Sequence, residues 1–360
     1  LLDRADFPRD KACGDGVAPH VLDLLARVGV TGLLDDRVPV PRLRLTLGDQ
    51  QVERRMSRPA YVVPRLVLDA RLVDAACAAG AQLVRHRVRE VRVGADGVVL
   101  DGEIDAAVVV GADGAHSGVR RGLGVATGRT AFALRGYAPV PTGRAGAQVI
   151  TFGTTRQPSY AWSFDCGDGQ ANVGYGEVLG HSAAPPSRRL LLDRLEQLLP
   201  GSTRGGTDWV GHHLPLSGPR WRPPSGRVLL VGDAAGLVNP LTGEGIYYAV
   251  ATGLEAGRAA ARAVGAGEPA SAGHRYVRAA RAHLFPHLRH TAAAARLSLH
   301  GPVLAAGIEA SARDQRVFDD LVDLGLARGR ITPTMARGLV GALARRRSGA
   351  EDPPGTREMS

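Results

Sequence analysis

The chain has 360 residues, of which 44% are hydrophobic, 22% charged and only 4% aromatic, with 47 glycines. This composition is typical of a folded protein with two or three cooperating units, and it argues against a disordered or collagen-like chain. Three cysteines cannot form a disulfide framework, and no apolar run is long enough to cross a bilayer, so we expect a cytoplasmic protein. The net charge of +10 comes almost entirely from scattered arginines, which predicts a solvated surface and no nucleic-acid partner.

The first part of the chain alternates between helical and strand-like segments, as in an α/β layer. An amphipathic helix is predicted over 19–28, and a second over 66–79, where Gly80 ends the helix as a C-cap would. The strand-like segments predicted here are 1–2, 40–63, 82–93, 98–100 and the buried parallel-type strand 108–110.

The second part of the chain changes character. Residues 131–180 favour short alternating strands separated by Gly and Pro, and a helix is predicted over 187–199. A second all-apolar strand is predicted over 228–231, and the chain is mostly helical from there to about residue 344.

The strongest motif is Gly232-Asp233, which directly follows the apolar strand 228–231. It predicts a carboxylate at the carboxyl edge of a sheet, where α/β proteins bind ligands. The glycine-rich turn after it allows close approach of the backbone, and the helix beginning near Glu244 points its positive end at the same place. From this motif alone, a carboxylate that merely caps the helix is an equally good interpretation.

A second strand ends in the same way, because Val108–Val110 leads into Gly111-Ala112-Asp113-Gly114. The alternative is again a turn, with Ser117 as a helix N-cap. Two strand-Gly-Asp units in one chain favour a shared ligand. We therefore predict that Asp113 and Asp233 end adjacent strands and hold the same dinucleotide.

The pair of motifs resembles the fingerprints of FAD-dependent oxidoreductases built like aromatic hydroxylases, and in more detail those of the geranylgeranyl reductase family. Three segments carry the narrower resemblance, which covers about residues 1–260: Phe7–Gly16 with its Cys-Gly turn, Pro240–Ile246 with its Gly-Glu-Gly, and the Tyr-x-Trp-x-Phe strand Tyr160–Phe164. The resemblance implies an α/β fold with α+β insertions, in which a Rossmann-like FAD-binding domain is interleaved with an antiparallel substrate-binding sheet. The ranges it implies are an FAD-binding part at 1–40, 65–130 and 219–270, a substrate sheet at 41–64 and 131–218, a helical C-terminal region at 271–347 and a disordered tail at 348–360.

The chain departs from the family in two places. The family's N-terminal strand-GxGxxG-helix, which holds the FAD pyrophosphate, is absent, so we expect the sequence to be an N-terminally truncated fragment. If the polypeptide began at Leu1, FAD binding would be weak. The second departure is Asp165, where the family has proline.

The resemblance implies FAD as cofactor and assigns a set of binding residues. Asp3 takes the place of the acid that binds the adenosine ribose, and Arg65 that of the flavin-contacting arginine. The full set is Asp3, Arg4, Cys13, Gly14, Arg65, Asp113, Gly114, Gly232, Asp233, Pro240, Gly243, Glu244, Gly245 and Ile246.

Three further groups of residues have chemistry that the sequence leaves open. Period-2 alternation puts Tyr160, Trp162 and Phe164 on one face of a strand, which predicts either a substrate-binding wall or an ordinary core face.

Cys13, which we predict to be catalytic, has the properties of an acid, a redox partner or a small packing group. The trio His283, His287 and His290 has helical spacing, but no carboxylate joins it, so we predict no metal site.

The resemblance implies reduction of C=C bonds in an isoprenoid chain by hydride from flavin N5. The alternative is an FAD-dependent monooxygenase or halogenase acting on an aromatic natural product. The electron donor (NADPH, NADH or ferredoxin), the substrate and the oligomeric state are left open. Because isoprenoid tails reside in membranes, we expect peripheral membrane contact through Val317, Phe318, Leu321 and Leu324.

Overall fold

A computed structural model describes residues 1–153, 158–180 and 186–348, within which the chain forms fifteen strands and nine α-helices. Ser348 ends the last helix, and the rest of the predicted disordered tail, 349–360, lies outside the described residues. The strands are β1 Leu2–Asp3, β2 Gly16–Val17, β3 Val40–Leu47, β4 Gln50–Val62, β5 Val84–Arg85, β6 Val91–Val93, β7 Val98–Leu100, β8 Ile104–Ala106, β9 Val109–Gly111, β10 Thr130–Pro139, β11 Ala147–Phe152, β12 Ser159–Asp165, β13 Gln170–Val178, β14 Thr207–Pro215 and β15 Val228–Leu230. The helices are α1 Pro19–Ala26, α2 Arg65–Ala78, α3 Gly118–Gly122, α4 Arg188–Leu198, α5 Ile246–Gly265, α6 Ala272–Leu297, α7 Gly301–Arg313, α8 Gln315–Leu326 and α9 Pro333–Ser348.

The longest strands form one eight-stranded sheet in the order β14-β10-β13-β12-β11-β3-β4-β2. All its neighbours are antiparallel except β11 and β3, which run parallel. One face is covered by α4, through Leu191 and Leu195. The antiparallel sheet predicted from the sequence is therefore present.

The remaining strands form smaller sheets, two of which are parallel pairs. Strand β1 pairs with β5 and β9 pairs with β15, both in parallel, and β6, β7 and β8 form an antiparallel meander. The last residues of β9 and β15, Gly111 and Leu230, are register partners. The two strands therefore deliver the loops that follow them to the same edge.

Helices α1, α5 and α6 pack around a large apolar core beside β15. Tyr276 of α6 is fully buried there and donates a hydrogen bond to the carbonyl oxygen of Leu230, 2.7 Å away. The C-terminal region is helical, as predicted, and α7 and α8 both pack against β4.

The predicted membrane-facing surface of α8 is wrong. Val317, Phe318 and Leu324 are only 3%, 0% and 1% exposed, and Leu321 is half-buried. The physical reason is that the apolar face of this amphipathic helix packs against β4 and α7, where Phe318 joins a core cluster with Met56. Among the described residues, no helix combines the length and the apolar character needed to span a bilayer.

Candidate active site

Asp113 and Asp233 follow the paired ends of β9 and β15, so the structure brings the two strand-Gly-Asp motifs together. Asp113 accepts hydrogen bonds from the Ser117 hydroxyl at 2.5 Å and from the backbone N–H of Gly118 at 2.7 Å. Ser117 in turn caps α3 by accepting a hydrogen bond from the N–H of Arg120. Ser117 therefore caps α3, as the alternative interpretation predicted, and the carboxylate of Asp113 organises the same turn.

Arg120 joins the two strand ends. Its side chain is buried, and its guanidinium donates to the carbonyl oxygens of Ala115 at 2.6 Å and Ala234 at 3.1 Å. The Ala115 carbonyl belongs to the loop after β9, and the Ala234 carbonyl to the loop after β15. The relative position of these two loops is therefore fixed by one buried cation.

The side chain of Asp233 lies at the start of α5. Its Oδ2 atom is 3.4 Å from Nζ of Lys11, and a Cβ added to Gly245 would stand 3.4 Å from its Oδ1 atom. Gly245 therefore keeps open the space between this carboxylate and the first turn of the helix.

The turn Pro240–Ile246 connects this carboxylate to the aromatic strand. Gly243 has a φ of +73°, and a Cβ there would lie 3.0 Å from the hydroxyl oxygen of Tyr160. That hydroxyl donates a hydrogen bond to the carbonyl oxygen of Thr242. Glu244 accepts a hydrogen bond from the N–H of Tyr247 at 2.8 Å, and burial raises the pKa of Glu244 to about 7.

Gly14, which follows Cys13, packs against the same strand. A Cβ on Gly14 would be 3.6 Å from the ring of Phe164 and 3.8 Å from Nε1 of Trp162. Burial, followed by the nearby carboxylate of Asp15, raises the pKa of the Cys13 thiol to about 11. The sulfur is therefore protonated at neutral pH, which excludes a resting thiolate.

An ionic network fastens the Cys13 segment to α2. Arg65 makes a bidentate pair with Asp69 (2.6 and 2.8 Å), and the same carboxylate accepts a hydrogen bond from Arg9 at 2.9 Å. Asp3 is 3.9 Å from Arg9 and accepts from its neighbour Ala5, so it adjoins this network. Of the predicted cofactor residues, Arg4 and Asp113 are exposed.

The aromatic side chains of β12 stand side by side. The ring centroids of Tyr160 and Trp162 are 6.0 Å apart, and those of Trp162 and Phe164 are 6.5 Å apart. Phe152 of β11 extends the row at 6.2 Å from Tyr160. The prediction that Tyr160, Trp162 and Phe164 share one face of the strand is therefore confirmed.

This row forms one wall of a cavity of about 550 Å³. The turn Pro240–Ile246 and the Cys13 segment line one part of the cavity, and the helices α6 to α9 line another. Most of its wall is aliphatic or aromatic: Leu43, Leu45, Ile150, Leu214, Val303, Leu304, Leu321, Met335 and Leu339 are among its residues. Such a space suits an elongated apolar molecule.

Of the histidine trio on α6, His287 lies in the core, whereas His283 and His290 are half-buried. His287 is 1% exposed and lies 2.6 Å from both the Tyr248 hydroxyl and the carbonyl oxygen of Gly329. His290 accepts a hydrogen bond from the N–H of Ile331 at 3.2 Å. In the part of the chain that the structure describes, no group of three or more His, Cys, Asp or Glu side chains has the arrangement of a metal site.

Sequence reasoning missed a buried polar cluster beside the aromatic row, on the same face of the sheet. Asp15, Tyr137 and Asn172 meet there, and Arg135 stacks on the Tyr137 ring with its guanidinium carbon 4.7 Å from the ring centroid. The signal in the sequence was Asn172, a polar residue among the small and apolar residues in the middle of β13.

No family model matches the chain. A menaquinone reductase of Mycolicibacterium smegmatis is 35% identical over 301 residues, covering 74% of this chain and 70% of that protein. A digeranylgeranylglycerophospholipid reductase of Methanothrix thermoacetophila is 34% identical over 225 residues, covering 58% and 56% of the two chains.

Solved structures give the same fold. A geranylgeranyl bacteriochlorophyll reductase-like protein of Thermoplasma acidophilum superposes with a TM-score of 0.72 at 21% identity, covering 95% of this chain and 88% of that one. A flavin-dependent halogenase superposes with a TM-score of 0.63 at 20% identity, covering 98% and 65%.

The paired strands β9 and β15, which lead to Asp113 and Asp233, together with the similarity to these reductases, define an FAD-dependent oxidoreductase. Within this class, the chain belongs to the geranylgeranyl reductase family.

Proposed function

We propose that this enzyme reduces C=C bonds of an isoprenoid chain. The observation that carries the proposal is the apolar cavity of about 550 Å³, in which the aromatic row of β12 faces the turn Pro240–Ile246. The names of the relatives, which refer to menaquinone and to a digeranylgeranyl lipid, support an isoprenoid substrate.

The residues around the ends of β9 and β15 fit FAD, because glycines there leave room for a ligand. Gly114 and Gly236 both have positive φ and open space where a Cβ would stand, and Gly245 leaves the face of Asp233 clear. The residues that would hold FAD are Asp3, Arg4, Cys13, Gly14, Arg65, Asp113, Gly114, Gly232, Asp233, Pro240, Gly243, Glu244, Gly245 and Ile246.

Bound FAD in its reduced form supplies a hydride for the alkene. An isolated alkene has no carbonyl to polarise, so positive charge develops on the carbon that does not receive the hydride. The electron-rich faces of Tyr160, Trp162 and Phe164 would stabilise that charge, and the aliphatic wall would exclude water. Cys13 carries a proton at neutral pH and lines the same cavity as these rings, so it is our candidate for the group that protonates the substrate.

The direct test is mass spectrometry of polyprenyl compounds incubated with FAD-loaded, chemically reduced full-length enzyme. We expect products heavier by two hydrogens for each double bond reduced. Parallel reactions with NADPH, NADH and reduced ferredoxin would identify the external donor. Hydroxylated or halogenated aromatic products in the presence of oxygen, without saturation of polyprenyl compounds, would instead support the monooxygenase or halogenase alternative.

We also propose that the chain contacts an anionic bilayer where the cavity reaches the protein surface. Leu297 and Val340 line the cavity, yet they are 44% and 65% exposed, and Leu299 nearby is 40% exposed. Arg296 and Arg337 are exposed neighbours on the same helices, so apolar and basic groups occur together there. An isoprenoid chain would pass from the bilayer to the cavity at this surface.

Vesicle co-sedimentation tests this contact. Replacing Leu297, Leu299 and Val340 together by serine should weaken binding to vesicles of phosphatidylcholine and phosphatidylglycerol by roughly tenfold or more, because three apolar side chains no longer enter the bilayer. The matched control is Val264→Ser on α5, which removes a side chain of similar exposure (49%). Equal binding by the triple variant and the control would contradict the proposed contact.

A further inference from the structure

The polar cluster beside the aromatic row, on the same face of the sheet, contains one carboxyl group that the reaction described above does not use. Asp15 is completely buried, and its Oδ2 atom accepts hydrogen bonds from the Tyr137 hydroxyl and from Nδ2 of Asn172, the latter at 2.8 Å. Its Oδ1 atom is buried without a hydrogen-bond partner. An ionised carboxylate would leave this oxygen charged and unsolvated, whereas a proton on Oδ1 would remove that charge.

Asn172 connects Asp15 to the cavity wall. The amide nitrogen of Asn172 donates to Asp15 and to the carbonyl oxygen of Cys13, also at 2.8 Å. The amide oxygen of Asn172 accepts a hydrogen bond of 2.8 Å from the indole N–H of Trp162. A single amide therefore joins the carboxyl group, the Cys13 turn and the central ring of the aromatic row.

We propose that Asp15 is a positioning residue for this wall: it exchanges one proton on Oδ1 and acts through Asn172 on the indole of Trp162. When Asp15 is ionised, the hydrogen bond from Asn172 is charge-assisted and stronger, which polarises the amide and alters the bond from Trp162. The effect on alkene reduction rests on the proposed function, but the effect on Trp162 does not.

Burial raises the pKa of Asp15 to about 6, against the opposing effects of Tyr137 and Arg135. Burial raises the pKa of Cys13 to about 11, that of Cys166 to about 12 and that of Tyr137 further, so these three groups stay protonated between pH 4 and 8. Glu244 lines the same cavity and has a pKa raised to about 7, so it titrates in this range and the loss of the shift in Asp15→Asn is what identifies Asp15. The groups that face Asp15 are Asp10 and Cys13 on its own segment, Arg65 on α2, Arg135 and Tyr137 on β10, and Cys166 after β12.

The test follows the indole N–H resonance of Trp162 by NMR in the FAD-loaded enzyme between pH 4 and 8, assigned with Trp162→Phe. We expect a shift with a midpoint near pH 6 that is abolished in Asp15→Asn. This variant should fold, because asparagine tolerates the left-handed φ of 58° found at this position. Tyr137→Phe should move the midpoint upward, since it removes a hydrogen bond that stabilises the ionised form.

Asp165→Asn is the matched control. Asp165 is also buried and ends the same aromatic strand, but both its carboxyl oxygens accept backbone N–H bonds, from Gly146 and Gly167. A Trp162 signal that does not titrate in the parent, or that still titrates in Asp15→Asn, would overturn the proposal. The NMR result does not depend on whether polyprenyl compounds are reduced. A failure of this proposal can therefore be distinguished from a failure of the proposed function. If they are reduced, the pH profile of kcat/KM should lose one inflection in Asp15→Asn.

Discussion

Asp69 is the residue through which α2 holds the Cys13 segment, because its carboxylate receives Arg65 and Arg9 together. Its side chain is only 9% exposed. Asp69→Asn should lower the free energy of unfolding by about 3 kcal/mol, since it leaves the buried guanidinium of Arg65 without its counter-charge. Urea denaturation would measure the loss.

Asp23 provides the control for this prediction. It forms a bidentate pair with Arg58 at 2.7 and 2.8 Å, but both side chains are nearly half exposed. Asp23→Asn should therefore cost no more than about 1 kcal/mol. Equal losses in the two variants would mean that Asp69 is better solvated than its burial indicates.

Single residues could be predicted from the sequence where they belong to a compact motif. They could not be predicted where the fold brings together residues that are far apart in the chain. Asp233 and Gly243 stand in motifs whose spacing is local, so the sequence alone could place them in the loops that follow β15, and their contact with a ligand stays a prediction. Asp15 meets Tyr137 across 122 positions and Asn172 across 157. No periodicity encodes such pairings, because they depend on the order of strands in the sheet.

Strand β13 lies beside β12 in the sheet, and its glycines leave room for the aromatic rings on their shared face. A Cβ on Gly174 would lie 2.2 Å from Cζ2 of Trp162 and 2.3 Å from the carbonyl oxygen of Leu134. Gly174→Ala should therefore push Trp162 out of its place and lower the free energy of unfolding by about 3 kcal/mol. Denaturation and the near-ultraviolet circular dichroism of tryptophan would report both effects.

Gly176, two residues further along the same strand, is the matched control. A Cβ there would meet Ala133 at an ordinary 3.4 Å, so Gly176→Ala should change stability by less than about 1 kcal/mol. If Gly174→Ala were as stable as Gly176→Ala, the packing of Trp162 against β13 would be looser than described.

Helices and strands with a strong hydrophobic period could be predicted from the sequence, but the elements against which they pack could not. The helix predicted over 66–79 is α2, Arg65–Ala78, and the strand predicted over 108–110 is β9, Val109–Gly111. Helix α8 has an equally clear apolar face, yet the expectation that this face meets a membrane was wrong, because β4 and α7 cover it. Amphipathicity predicts that a face is buried and leaves open what buries it.

The turn after β15 connects several parts of the molecule: the strand-end loops, the eight-stranded sheet and the C-terminal helices. Asn239 is completely buried, and its amide donates to the carbonyl oxygens of Leu324 at 3.1 Å and Gly325 at 3.0 Å, in the last turn of α8. Thr242 adds a hydrogen bond to Gly325 at 2.7 Å. The same turn reaches Tyr160 on the sheet, so the cavity is closed by contacts that no single part of the chain could make alone.

Asn239→Ala should loosen this junction. Two buried carbonyl groups of α8 would lose a donor, at a cost of about 2–3 kcal/mol in the free energy of unfolding. We expect amide hydrogen exchange in α8 to become faster, while exchange in α4, on the far side of the sheet, stays unchanged. Thr242→Val is the control, because it keeps the side-chain shape and removes one hydrogen bond, for a loss of about 1 kcal/mol. Unchanged exchange in α8 of Asn239→Ala would mean that the packing of Phe318 and its neighbours on β4 holds the C-terminal helices without this junction.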